Sequence, residues 1–255
     1  MQDYDTKLIN LALDAGEIML QSGAETYRVQ DTMKRMLSVT GREKIEALAL
    51  STMLIVTLPR EEKGPLSMAR GVENRSVNFE KICAVNAMSR DFVSGRITLE
   101  EATAQLENIH KTPTFKPLTI TLGYGLTSGG FSLILSQSLP DGIAAFLVGI
   151  LLGVMLHFVN KRKAPYFLGT FLGGLVTGTS ACLFQMVFPI LHIDNIIIGG
   201  IMPLLPGLTM TKSIRDLLEG NFISGNSKMM EALLIAAAIA GGTATALGLF
   251  RPILY

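Results

Sequence analysis

Residues 192–211 read HIDNIIIGGIMPLLPGLTMT, an apolar run of membrane-spanning length interrupted by Gly199, Gly200, Pro203, Pro206 and Gly207. Proline removes a backbone donor and obstructs the preceding turn, so this stretch predicts a broken helix rather than a straight one. Four further apolar stretches, about 117–137, 141–159, 165–187 and 229–249, are long enough for complete or nearly complete crossings. The expected architecture is an α/β cytosolic domain, 1–116, followed by an all-α polytopic membrane domain, 117–255, with five transmembrane spans and a broken fourth.

Charge divides the chain at the same place. Residues 1–116 hold 15 Lys or Arg and 16 Asp or Glu, whereas residues 117–255 hold 7 and 5 together with 19 of the 25 glycines. A soluble domain spends about a quarter of its residues on charge, so the two halves suit different solvents, with Pro117 as the boundary. MQDYDTKLIN carries three charges before any apolar run, so no cleavable signal peptide is expected and the amino-terminal domain stays cytoplasmic.

The loops orient the spans. Lys111 and Lys116, then Lys161, Arg162 and Lys163, then Lys212, Arg215 and Lys228 fall on one side of five crossings, while SLPDG and PILHID carry acids and no Lys or Arg. This predicts the amino terminus inside and the carboxyl terminus outside a bacterial-type plasma membrane, with Arg251 as the one dissenter. A re-entrant 192–211 would put 212–228 on the acidic-loop side, so a crossing is favoured. Tyr124, Tyr166, Tyr255 and several Phe are candidate interface anchors in contact with membrane lipid. Glycines four apart, at 125/129, 149/153, 169/173 and 174/178, allow close helix contact within the bundle or with another subunit.

In the soluble half, residues 5–21 have helical periodicity with Leu8, Leu11, Ile18 and Met19 on one face. Ser22–Gly23 reads as a loop before a second helix, about Ala24 to Val39, that Gly41 terminates. There Tyr27, Met33, Met36 and Leu37 offer core contacts, and Glu25, Arg28, Asp31 and Arg35 offer charge pairs. Strands are expected at Met53–Leu58 and Leu66–Gly71, a turn at Glu61–Gly64, and helices at 78–93 and 98–109, the last opened by a Thr98/Glu101 capping box. The element order indicates a small α/β layer domain and leaves its sheet topology open.

Several classes are excluded. No serine elbow, phosphate loop, zinc-ligand spacing or dinucleotide motif occurs in a suitable setting, so neither an enzyme, a cofactor nor ATP drive is expected. The soluble half has a formal charge of −1 and no basic patch, which argues against nucleic acid. Cys83 falls in a soluble helix and Cys182 in a span, so no structural disulfide is expected.

The broken span is the leading site candidate, because interrupted helices offer backbone hydrogen-bond groups to small polar solutes inside a membrane. Pro203, Pro206 and Gly207 shape the break, and Thr209 and Thr211 add hydroxyls. A kink serving packing alone is the alternative. Thr177 and Gln185 either line a path or bond a neighbouring helix. Glu231 is a candidate for binding or proton relay, and Asp194, His157 and His192 are ambiguous groups near the membrane faces.

Three blocks, SGAETYRVQDTMKRM at 22–36, IMPLLPGLTMTKSIRDLLEGNFISG at 201–225 and EALLIAAAIA at 231–240, resemble the threonine/serine exporter family over nearly the whole chain. More narrowly, the chain resembles the larger member of a split pair whose small hydrophobic multi-span partner is encoded separately. The resemblance implies a component of a secondary exporter of small polar metabolites, either threonine and serine or a dicarboxylate such as succinate, working as a homo- or hetero-oligomer. A membrane-anchored assembly or regulatory subunit without its own path is the alternative. The family-like residues Glu25, Thr26, Arg28 and Asp31, with Arg215 and Asp216, are then candidates for a cytosolic gate or a structural network.

Overall fold

The computed structural model describes residues 4–60, 64–73, 77–112, 115–162 and 164–254. The chain forms two compact units: Met1–Thr114 with Lys212–Lys228, and Phe115–Thr211 with Met229–Tyr255. Segment 212–228 thus belongs with the amino-terminal unit although it follows four apolar segments in sequence.

The first unit opens with α1 (Tyr4–Gln21) and α2 (Thr26–Leu37). Gly23, at φ +84°, takes the left-handed position that ends α1; its N–H donates to Leu20 O and that of Ala24 to Met19 O. Gly41, at φ +68°, likewise ends the 3-10 turn 38–40 after α2. Strands β1 (Glu46–Ala49), β2 (Met53–Leu58) and β3 (Leu66–Gly71) form an antiparallel meander in which Ala47 faces Val56 and Leu58 faces Leu66. The alternation of β2 is clean: Leu54, Val56 and Leu58 are buried, whereas Met53, Ile55 and Thr57 are not. Residues 61–63 of the expected turn lie outside the described residues.

Helices α1 and α2 pack on the sheet, and α3 (Phe79–Val93) and α4 (Leu99–Lys111) pack on α1. Leu8, Leu11, Met19, Met33, Met36 and Leu54 form the centre of this core. Tyr27, expected among them, is half-buried instead; its hydroxyl accepts from Arg28 Nε at 3.1 Å. Asn78 caps α3, and Thr98 with Glu101 forms the expected capping box on α4. By accepting the backbone N–H and then the hydroxyl of Thr98, the Glu101 carboxylate is held below its ordinary pKa.

The second unit contains α5 (Pro117–Ser136), α6 (Leu139–Lys161), α7 (Tyr166–Val187), α8 (Ile193–Ile201), and parts of α9 (Gly207–Leu218) and α10 (Phe222–Leu254). Four helices, α5, α6, α7 and α10, are long and apolar enough to cross a membrane. Segments 193–204 and 207–218 pass the same test as a pair and are bent by 56° at the break, giving up to five spans. The chain is therefore a multi-span membrane protein, as its composition predicts.

Its helices are built for lipid rather than water. On α5 the buried face is Thr121, Gly125, Ser128, Gly129 and Ser132, while Leu118, Leu126 and Ile134 are exposed. Small faces bring backbones together: a Cβ on Gly174 would lie 2.4 Å from Ile239 O of α10. SLPDG, read as a loop, is the start of α6, with Ser138 as its N-cap. Cys182 is buried, Cys83 is exposed and both are free thiols.

Candidate functional site

In the second unit a cleft opens beside the break. It offers about 440 Å³ of empty space, part of it open to the surroundings, and is lined by Tyr124, Asn160, Tyr166, Thr170, Pro203 and Leu204 among others. The sequence explains why it lies there. Residues 202–204 leave the α8 geometry for a 3-10 turn, Leu205 is extended, and Pro206 precedes the restart at Gly207. Of the chain's sequence-derived candidates, Pro203 lines the cleft directly. Glu231 is half-buried on α10 and is not among the residues that line the cleft.

The cleft chemistry is hydrogen bonding without a fixed cation: among its described lining residues none is Lys, Arg or His. Tyr124 and Tyr166 supply phenols and Asn160 an amide. The Thr170 hydroxyl already donates to Phe167 O at 3.0 Å. Tyr124, expected to anchor at a lipid interface, is a half-buried cleft residue, whereas Tyr166 remains 62% exposed. Tyr255 and Lys163 lie outside the described residues.

The other candidates scatter. Thr177 is fully buried on α7, and Gln185 sits at the far end of that helix from Tyr166. Pro206 precedes α9, Gly207 begins it, and Thr209 is half-buried in its first turn. Thr211 donates back to Gly207 O at 2.9 Å. Of the ambiguous boundary groups, Asp194 and His157 are exposed. His192 meets a residue the sequence reading passed over, Asp141, which is fully buried in the first turn of α6. The Asp141 carboxylate accepts from the His192 N–H at 3.0 Å and from Asn195 Nδ2 at 2.9 Å, and so caps α8.

A second polar centre lies within the first unit. The Thr26 hydroxyl donates to one Asp216 oxygen at 2.7 Å, and Lys228 Nζ donates to the other at 2.6 Å. Glu25 pairs with Arg28 at 3.1 Å and also with Arg215, and Lys212 Nζ donates to Gly23 O. Glu25, Thr26, Arg28, Arg215 and Asp216 are thus brought together, while Asp31 pairs locally with Arg35 at 3.3 Å. Lys228, which sequence reading took only as a loop charge, completes this centre; a lone Lys just before an apolar span carries no signal that it is buried. Among the described residues no group of three or more His, Cys, Asp or Glu is placed to hold a metal.

Secondary transporters expose polar groups to a solute where a membrane helix is interrupted, and a multi-span transporter is the class that this broken span and its cleft define. The ThrE family model, described as "Putative threonine/serine exporter", matches residues 10–250, so the chain belongs to that family, one of transporters and not of enzymes. It is 24% identical over 242 residues to the "Threonine/serine exporter" of Corynebacterium glutamicum, covering 92% of this chain and 50% of the relative. With the "Probable threonine/serine exporter" of Mycobacterium tuberculosis it shares 21% identity over 244 residues, covering 94% and 45%. An uncharacterized protein of Schizosaccharomyces pombe is 22% identical over 241 residues, covering 89% and 31%. The chain spans about half the length of the two bacterial relatives. No solved structure matches it.

Proposed function

We propose that this chain is the larger component of a two-component secondary exporter that moves a small zwitterionic amino acid, threonine or serine, out across a bacterial plasma membrane. The polar groups that line the cleft at the break, Tyr124, Asn160, Tyr166 and Thr170, carry this reading. A dianion such as succinate, moved out of water onto the described lining residues, none of which is Lys, Arg or His, would lose hydration without gaining a countercharge from them. A zwitterion is neutral overall, and the phenols, amide and hydroxyl of Tyr124, Tyr166, Asn160 and Thr170 can meet its polar groups without a countercharge. We assign proton coupling to Glu231, a half-buried carboxylate on the last span. The names of the bacterial relatives support the amino-acid class. The resemblance of the chain to the larger member of a split pair supports a second, small hydrophobic multi-span component in the complete assembly, which lipid surrounds.

Parity supports the topology. Segment 212–228 packs with the charged amino-terminal unit, so the chain has to return to that unit's side of the membrane after Thr211. Three crossings by α5, α6 and α7 then call for a fourth, for which 193–211 of the bent pair is the segment available. With the amino terminus cytoplasmic, α10 then takes the carboxyl terminus outside.

Proteoliposomes carrying this chain, the small partner, or both, loaded with threonine, serine or succinate, test the reading with and without an imposed pH gradient. Efflux of threonine or serine by the pair alone is expected, with Glu231→Gln abolishing its dependence on the gradient. Preferential succinate efflux would overturn the substrate class. Stable assembly without flux of any of the three would favour a membrane-anchored assembly or regulatory subunit.

A further inference from the structure

Three hydroxyls in the second unit, those of Ser128, Ser132 and Thr177, are fully buried and have no hydrogen-bond partner among the described residues. Other hydroxyls on the helices of this unit behave differently. Ser136 donates to Ser132 O at 2.8 Å and Thr245 to Gly241 O at 2.7 Å, the usual back-bond of a hydroxyl on a helix. A buried, unpaired hydroxyl costs stability, and three of them in one unit call for a use.

They share a level. Ser128 stands near the middle of α5, Gly149 near the middle of α6 and Thr177 near the middle of α7, and Gly199 and Gly200 of α8 close over them. A Cβ on Gly149 would lie 2.6 Å from Ser128 Oγ, one on Gly199 2.7 Å from Ser132 Cβ, and one on Gly200 2.6 Å from Thr177 Cγ2. Only glycine lets these backbones come so near the hydroxyl-bearing residues.

Between this level and the cleft stands a leucine pair. Leu204, on the 3-10 turn of the broken span, rests on Gly173, where a Cβ would lie 2.8 Å from Leu204 Cδ1 and 3.2 Å from Leu152 Cδ1. The order along the helices is consistent. On α5 it runs Tyr124 to Ser128, on α6 Asn160 to Leu152 to Gly149, on α7 Thr170 to Gly173 to Thr177, and on the broken span Leu204 to Gly199.

From this we infer that Ser128, Ser132 and Thr177 form an inner binding layer for the hydrogen-bonding groups of a small zwitterion, and that Leu204 is the gate between that layer and the cleft. The inference rests on the exporter reading for its ligand but not for its gate. Hydroxyls both donate and accept, so they can meet a carboxylate and an ammonium group without introducing a charge into the membrane. Here the layer is shut. Movement of the turn at 202–204 takes Leu204 off Gly173 and opens the layer to the cleft, as alternating access at a discontinuous helix requires.

Two measurements on the assembled pair test it. Thr177→Val keeps the side chain's shape and removes an unpaired hydroxyl, so the protein should melt at a higher temperature while threonine efflux falls at least tenfold and threonine no longer raises the melting temperature. Ser128→Ala should act in the same direction. Unchanged efflux and an unchanged threonine-induced shift in both variants would overturn the binding layer. Separately, Thr177→Cys in a Cys83→Ser/Cys182→Ala background should react slowly with a small methanethiosulfonate, and at least tenfold faster once Leu204→Ala is added. Equal rates would overturn the gate. If the unaltered pair moves none of the three solutes yet Leu204→Ala speeds the labelling, the exporter reading fails while the gated layer stands.

Discussion

Asp216 is 1% exposed, and both of its carboxylate oxygens are engaged, one by Thr26 and the other by a Lys228 ammonium that is itself 6% exposed. A charge pair this deep is stable only as a set. Removing one member leaves the other desolvated and uncompensated, which costs about 3–5 kcal/mol, whereas replacing both with apolar groups costs less. Asp216→Asn and Lys228→Met are therefore each expected to destabilise the first unit by about that much, and the double variant Asp216→Leu/Lys228→Met by less. Thr26→Val, which removes one donor to a charged acceptor, should cost about 1.5–3 kcal/mol. Denaturant titration in detergent measures these losses, and hydrogen exchange should locate the first lost protection in 212–228. Single variants as stable as the parent would mean that the pair does not hold this segment.

At the level of the element, the two helices of the bent span use glycine for opposite reasons. Gly207 begins α9 in open space: an added Cβ meets nothing within 4 Å, and its backbone is not left-handed. Gly199 has no such room, since a Cβ there would lie 2.6 Å from the Ser128 carbonyl oxygen, a backbone atom that cannot swing aside. Gly207→Ala should accordingly be neutral or stabilising by about 0.4–1 kcal/mol, through the lower entropy of the unfolded chain. Gly199→Ala should cost about 1–3 kcal/mol by forcing α5 and α8 apart. Melting temperatures of the two variants, compared in one detergent, decide this; a Gly207→Ala protein less stable than Gly199→Ala would contradict the packing. Pro203 and Pro206 act on the break through their missing backbone donors.

For the whole molecule, the proposed sidedness makes a native thiol useful. Cys83 is exposed on α3 and Cys182 is buried, so Cys83 reports the side of the amino-terminal unit without any substitution. Glu219→Cys, after α9, placed in a Cys83→Ser chain as Ile190→Cys also is, should react with a membrane-impermeant maleimide from the same side as Cys83 does in the parent: poorly in intact cells and readily in inverted vesicles. Ile190→Cys, between α7 and α8, should do the reverse. Labelling of Glu219→Cys together with Ile190→Cys would make 193–218 re-entrant and leave four crossings instead of five.

Local chemistry was enough for much of this. Hydropathy over twenty residues marks a span, period-two alternation marks β2, and Gly23, Gly41 and the Thr98/Glu101 pair mark helix ends, because each signal is exchanged between residues a few positions apart. The break at 203–207 was legible for the same reason: proline acts on its own turn. Long-range partnerships were not. Nothing near Asp216 indicates that Thr26, 190 residues earlier, donates to it, or that 212–228 folds with the amino-terminal unit. Ser128 and Ser132 look like ordinary small residues of a membrane helix. Whether such a hydroxyl back-bonds, finds a neighbour or stays unpaired depends on which helix face meets which, and only the packed structure sets those two against Gly199, with Thr177 against Gly200 and Leu204 between them and the cleft.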